Sequence, residues 1–513
     1  MSDELRSALR DLGERMPPAR LPADLWATGR RQRRRARLVA VAAAAAAVLA
    51  CAAVPVALTR VEAGPAPAAG QDAVPAEIGL PYMWQATVAQ DPPGPAAVLF
   101  SGGGLGLRGI DPIDDEGKVA VVGRDGRYRT LLYGGAESAA GEDVQLSPDG
   151  RYVADSGEAW LRVTDLTDGS RRVYDGLPDS DRCCPTPVTW APDGRSIVVL
   201  DTVAGSLGLD ADGQDIQRLR LVLVDLDTGA ARMLAEERSD RWRVRTASLG
   251  AFSPDGTRIV TTIGDTVSLR DRTGRAVWSR NLGPRRVLAG SGAVSPDGTR
   301  IATVELDGCL TRCDAASLGA RSWRFGWLDA ATGQDTDGPA LAPVRGQAVR
   351  ALGWRTGTDL VVLRYEPNPH DGMATLEWND TGYWETGHVQ LMALRPDGGR
   401  ELLLDPPAEV CALDVARDLL TAGRFGGPAV GPRPFPARPV IVFAAAPYVM
   451  LLAALLGAVL LWRRRRRRGP VVRSSPVPDW QRPVGTAGPS RRTDPPDPPW
   501  PPPAGGGSEP SRR

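Results

Sequence analysis

The chain has 513 residues, 62 of them basic and 61 acidic, and its net charge of +1 hides an uneven distribution. Residues 1–37 carry ten arginines against five acids and residues 463–513 carry twelve against four, which leaves 40 basic and 52 acidic residues between them. So acidic a middle excludes nucleic acid and other polyanions as its expected partner.

From the N-terminus, residues 2–16 read as a short amphipathic helix. Ser2 caps it, Asp3 and Glu4 suit the positive end of its dipole, and Leu5, Leu9, Leu12 and Met16 form one apolar stripe. Pro17 and Pro18 end it, and Pro22 with Leu21, Leu25 and Trp26 suggests a second short helix. Two uses are open for residues 1–37: lying on the inner face of a membrane, or docking a cytoplasmic protein partner. Arg30, Arg31, Arg33, Arg34, Arg35 and Arg37 precede an uncharged run of 21 residues, Leu38 to Leu58, within a span placed at 38–59. At a rise of about 1.5 Å per residue such a run crosses a bilayer core. The basic region before it is too long for an ordinary signal peptide. Cys51 reads as a cysteine inside that span.

Residues 60–77 are a Pro/Ala/Gly linker, residues 78–425 a β-rich domain, and residues 426–439 a second linker. Val440 to Trp462 is a second apolar segment, 23 residues without a charge, followed by Arg463 to Arg468. Both arginine clusters lie on the far side of their span from the domain. The positive-inside rule therefore expects a two-pass cell-membrane protein with both termini cytoplasmic and residues 60–438 outside. The tail over 463–513, rich in Pro and Arg, is expected to be disordered.

The β-rich domain is organised by a recurring phrase. Ser147–Gly150, Ala191–Gly194, Ser253–Gly256 and Ser295–Gly298 each read Ser/Ala-Pro-Asp-Gly, and each precedes a β-rich run. Proline presets φ at the second turn position, and Asp149, Asp193, Asp255 and Asp297 suit the third. Gly150, Gly194, Gly256 and Gly298 take the fourth. A second turn follows at Asp165, Asp225, Asp271 and Asp329, spaced 16, 32, 16 and 32 residues from the first aspartate. Each unit thus reads as four strands joined by two short turns and a variable middle loop, the pattern of a propeller blade. A degenerate unit replaces the first turn with Trp354–Gly357, and residues 409–422 supply a last strand or two to close the ring. The expected fold is all-β, a propeller of about six four-stranded blades, with seven possible.

This repeat resembles the WD40-like, TolB-type propeller repeat, whose usual form is an apolar strand followed by Ser-Pro-Asp-Gly. The resemblance implies the fold and leaves the role open, because propellers host many roles. The N-terminal pattern is similar to that of actinobacterial membrane proteins that accompany extracytoplasmic-function sigma factors. It departs from the zinc anti-sigma pattern, since residues 1–37 contain no histidine or cysteine.

Five of six cysteines fall in the outer region. Cys309 and Cys313 are the expected disulfide, and Cys411 has Cys183 or Cys184 as a candidate partner. No metal or cofactor is expected, because His370 and His388 lie apart from the cysteines. With two histidines in the chain and no Gly-x-Ser-x-Gly elbow, no catalytic residues are assigned and the chain is expected not to be an enzyme. The rival expectation is an extracytoplasmic enzyme or envelope-processing factor, which clustered acids, arginines or aromatics in the central channel would favour.

Strand alternation puts the middle loops on one face. The three long ones, 202–217, 307–321 and 365–387, are therefore expected to gather opposite the aspartate turns. The third carries Tyr365, His370, Trp378, Tyr383 and Trp384, the candidate binding residues. Aromatics among acids suit a protein, peptide, glycan or cationic partner.

Overall fold

The computed structural model describes residues 72–103, 105–108, 118–132, 139–156, 160–175, 185–202, 208–209, 215–240, 249–310, 313–368 and 386–432, with Ser7, Asp11 and scattered positions from 448 to 463. Six antiparallel sheets follow one another as six blades of a propeller. Blade 2 runs from its innermost strand outward as Val144–Leu146, Tyr152–Ser156, Leu161–Asp165 and Arg171–Tyr174. Blade 3 is Thr186–Trp190, Ser196–Thr202, Asp215–Asp225 and Ala231–Asp240, with Gly208–Leu209 added inside its middle loop. Blade 4 is Gly250–Phe252, Arg258–Ile263, Thr266–Asp271 and Ala276–Asn281. Blade 5 is Arg286–Leu288, Arg300–Asp307, Ser322–Asp329 and Val344–Arg345, and blade 6 is Ala348–Arg355, Asp359–Pro367, Thr386–Leu394 and Arg400–Leu404.

Blade 1 takes its innermost strand, Val410–Val415, from the far end of the chain and its other three, Ala96–Gly102, Lys118–Gly123 and Tyr128–Leu132, from the near end. The closing pairing is antiparallel, with Val98 opposite Val415 and Phe100 opposite Leu413. Only one strand of residues 409–422 closes the ring; Arg417–Thr421 is a short helix on the turn face.

Burial falls from the axis outward. The closing strand is buried at every position, whereas the outer strand Ala276–Asn281 is mostly exposed. The apolar residues of the inner three strands pack blade on blade. Ala154, Leu161 and Val163 of blade 2 meet Trp190, Ile197 and Val199 of blade 3, and Trp327 of blade 5 tilts against Trp354 of blade 6 at 5.7 Å. Removing such surface from water is the main favourable term in folding.

The aspartate turns make one face. In the copy at Ser253, Gly256 N donates to Ser253 O at 2.9 Å, Arg258 N donates to Ser253 Oγ at 2.9 Å, and Thr257 N donates to Asp255 Oδ1 at 3.0 Å. Gly150 has φ +71°, and a Cβ there would fall 2.1 Å from Ala96 O, so both the backbone and its neighbour require glycine. Successive turns touch: a Cβ on Gly256 would lie 3.6 Å from Pro192 and one on Gly298 would lie 3.9 Å from Pro254. The middle loops hold the other face, where a helix at Ala315–Ala320 packs Gly319 against Pro367 of the next blade.

The ends of the ring run side by side. Pro75 pairs with Gly427 and Ile78 with Val430, both parallel. Asp72 binds Arg124 at 2.9 Å, and Tyr128 Oη donates to Val430 O at 3.0 Å. Arg124 and Tyr128 flank a single turn of blade 1, so the entering and leaving segments both lie against that turn, with Asp72 at one end of the parallel pair and Val430 at the other.

The expected membrane helices are not part of what the structure establishes. Residues 38–59 lie outside the described residues, and only scattered positions of 440–462 are described, all helical. Among the described residues no helix is long and apolar enough to cross a membrane. The chain divides into Met1–Leu451 and Leu452–Arg513, and the described residues of the second unit are helical, with Leu455 and Leu456 exposed.

The turn chemistry gives an acid-side test. The Ser253 hydroxyl, then Thr257, holds Asp255 at about 2, and the Ser295 hydroxyl, then Thr299, holds Asp297 at about 2. A carboxyl lowered in the folded state contributes stability above its unfolded value, about 4, and loses it as pH falls towards the folded value. Both turns are exposed, so each contribution is small. The double variant Ser253→Ala, Ser295→Ala should lose less melting temperature than the parent between about pH 4 and pH 2; equal losses would contradict this account of the turns.

Candidate functional site

The innermost strands bring polar side chains to the axis that their apolar context does not announce. Arg350, on the innermost strand of blade 6, is 2% exposed. Its Nη2 donates to Leu413 O of blade 1 at 2.9 Å, and its Nη1 donates to Gly141 O at the entrance to blade 2. One side chain therefore ties three blades. Its charge is balanced nearby: Asp414 Oδ1 lies 4.0 Å from Nη2. Burial opposes the charge, but Tyr365, Asp414 and Glu142 outweigh it and hold the guanidinium above its ordinary value.

Asp414 is held in turn by Leu146 N and Val415 N, each at 3.0 Å. Gln145 of blade 2 donates Nε2 to Pro187 O at 3.0 Å and Val188 O at 2.8 Å in blade 3. Arg417, partly buried, makes no hydrogen bond or ion pair among the described residues. Burial, aided by Arg350 and opposed by Asp414, pulls it below the ordinary guanidinium value. Arginine and carboxylate thus sit buried between the innermost strands, with the Tyr365 phenol beside them on the next strand, and their charges face one another and backbone groups of neighbouring blades.

A concavity of about 390 Å3 opens on the turn face between blades 2 and 3 and is lined by Asp149, Arg151, Asp165, Asp193, Arg195 and Asp227 among others. The turn face is therefore less plain than the loop lengths suggest. Its carboxylates are engaged: Arg151 binds Asp165 through Nε at 3.0 Å and Nη2 at 2.8 Å, and Arg195 N donates to Asp193 Oδ1 at 2.9 Å. Burial would raise Asp165, but the Arg151 and Thr167 bonds hold it below the ordinary carboxylate range. Among the described residues no group of three His, Cys, Asp or Glu side chains is placed to hold a metal.

The expected binding residues fare unequally. Tyr365 is fully buried in the core beside Arg350 and presents no ring to a ligand on the loop face. As the partner of Ala348 in blade 6 it is a strand residue, and strand alternation turns it inward. His370, Trp378, Tyr383 and Trp384 lie outside the described residues. The aspartates and glycines of the four aspartate turns sit in turns as expected. The Cys309–Cys313 disulfide is present. Cys411 is a free, buried thiol, and burial pushes it up to about 11; Cys183 and Cys184 lie outside the described residues.

Sequence reading missed Arg350, Asp414, Glu142 and Arg417, and two aromatics as well. Trp84 is 50% exposed and stacks on Tyr82 at 5.4 Å, and Trp160 is 38% exposed in the middle loop of blade 2. The Pro-Tyr-Met-Trp run at 81–84 was the available signal for the first.

No protein-family model matches the chain, and no curated protein matches its sequence. Solved structures do. An oligogalacturonate lyase in complex with manganese is 14% identical over 64% of this chain and 78% of its own, with a TM-score of 0.38. The oligogalacturonate lyase from Vibrio parahaemolyticus is 13% identical over 66% and 80%, at 0.34. A TolB-like protein, the putative TolB from Agrobacterium tumefaciens, is 15% identical over 66% and 93%, at 0.31. At such identities the likeness concerns the fold alone. The expectation that the chain is not an enzyme is nevertheless corrected: the solved structures similar to it include oligogalacturonate lyases.

Replacing Arg350 with Gln should strand two buried carbonyls and leave Asp414 without its cation. The expected cost is roughly 3 kcal/mol in chemical denaturation of the purified chain. A neutral substitution would show that the three-blade tie is not structural.

Proposed function

We propose that this chain is a membrane-anchored propeller, carried outside the cell by spans at 38–59 and 440–462, that offers its loop face to a protein, peptide or glycan partner. The supporting observation is the joint exit at blade 1. With Pro75 beside Gly427 and Ile78 beside Val430, two flanking spans can reach one membrane from one spot on the ring. The turn face then looks toward the membrane and the loop face away from it. Residues on loops of a rigid scaffold are where binding residues concentrate, and Trp160 adds part-exposed aromatic surface on that face. Residues 1–37 remain inside to engage a cytoplasmic partner, such as a sigma-factor system.

Two experiments bear on this. Protease added to intact cells should cut within 60–438 and spare epitope tags at both ends; protection of the middle with loss of the tags would reverse the orientation. A photocrosslinking residue at Trp160 should capture a partner that one at Asp255 does not, and equal capture from both would contradict the choice of face.

A second reading is favoured by the polar convergence at Arg350, Asp414, Glu142 and Tyr365: an extracytoplasmic enzyme or envelope-processing factor with its site at the axis. Under that reading Asp414→Asn abolishes turnover of the substrate even at a temperature where circular dichroism shows the variant folded, although its melting temperature falls as Arg350 loses its counter-charge; turnover that persists would contradict it.

A further inference from the structure

The Cys309–Cys313 bridge lies in the middle loop of blade 5, on the loop face. Its loop is held without it. Arg321, fully buried, donates Nε to Cys309 O at 2.9 Å, Nη2 to Leu310 O at 3.2 Å and Nη1 to Gln347 O at 3.2 Å. Asp314 caps the helix that follows, accepting from Ser317 N at 2.8 Å. A bridge spanning a sequence separation of 4 also removes little entropy from the unfolded chain, since that effect grows with loop length. As a staple it is largely redundant.

The two sulfurs differ. Cys313 is 1% exposed, and Arg321 Nη2 lies 3.4 Å from its Sγ, whereas Cys309 is only partly buried. Thiol–disulfide exchange needs one sulfur open to attack and a leaving thiolate that is stabilised, and a neighbouring arginine supplies the second.

We propose that Cys309–Cys313 is a thiol–disulfide exchange site for an incoming dithiol, in which Cys309 is attacked, Cys313 leaves, and Arg321 is the positioning residue. The dithiol's thiolate forms a bond to Cys309 Sγ as the Cys309–Cys313 bond breaks, and the electron pair departs on Cys313 Sγ as a thiolate beside the guanidinium. The dithiol's second thiol then loses its proton and attacks its own sulfur in the mixed disulfide, which releases Cys309 as a thiolate. Both cysteine thiolates take up a proton each. The protein bridge gains two electrons and two protons, and the dithiol loses the same. The reverse direction oxidises the protein. The inference is independent of the membrane reading and of any axial chemistry.

The test treats the full chain with dithiothreitol, counting free thiols at 309 and 313 by alkylation and mass spectrometry while circular dichroism follows the fold. Reduction is expected with the propeller intact. Arg321→Gln should slow it severalfold and Arg321→Lys should recover most of the rate, because lysine keeps the charge but cannot span three carbonyls. Should Arg321→Gln fail to fold, the parent still decides the matter. Glutathione, a monothiol, should be found on Cys309 and not on Cys313. A bridge that stays oxidised until the blades unfold would overturn the proposal. So would glutathione on Cys313, or equal rates in all three proteins.

Discussion

The pairing of Val410–Val415 with Ala96–Gly102 is the constraint on which the rest of the molecule depends. It joins residues more than three hundred positions apart, so its loop-closure entropy is met only when the intervening blades are in place. Once formed, it removes the free inner edge of blade 1, which is otherwise a template for pairing with another chain. It also sets Leu413 O and Asp414 where Arg350 and Leu146 N need them. Around it Arg124 gathers Asp72, Asp418 and Asp149 O. The strand that shuts the ring thus also fixes where the flanking segments depart.

The axis shows what such closure demands of chemistry. Buried arginines and carboxylates lower stability unless every donor and acceptor finds a partner. Here most of the partners come from neighbouring blades: Arg350 reaches blades 1 and 2, Asp414 reaches blade 2, and Gln145 reaches blade 3, while Arg350 Nε and Gln145 Oε1 find none among the described residues. Polar groups inside the ring therefore hold the blades in register. Arg417, which lacks a partner among the described residues, stands apart from that pattern.

The repeat was legible in the sequence because its turns are chemically strict. Gly150, Gly256 and Gly298 have positive φ, and Asp149, Asp255 and Asp297 bind the backbone just beyond them, so substitutions are few and the spacing stands out. Blade 1 was less legible, since its inner strand and its other three are separated by the rest of the ring. The axial site was nearly invisible. Arg350 and Gln145 look like single polar interruptions of apolar strands, and only the closed ring shows them facing carbonyls of other blades. Tyr365 shows the opposite: the spacing predicts the first residue of a loop, but the strand extends to Pro367 and carries it into the core.

Under the proposed anchoring, the pairing of both ends beside one turn of blade 1 would set the turns toward the membrane and the long loops away from it. The most direct measurement is fluorescence quenching by spin-labelled lipid headgroups in vesicles that contain the full chain. A fluorophore at Asp255 on the turn face should be quenched more strongly than one at Trp160 on the loop face. Stronger quenching at Trp160, or none at either site, would contradict the account.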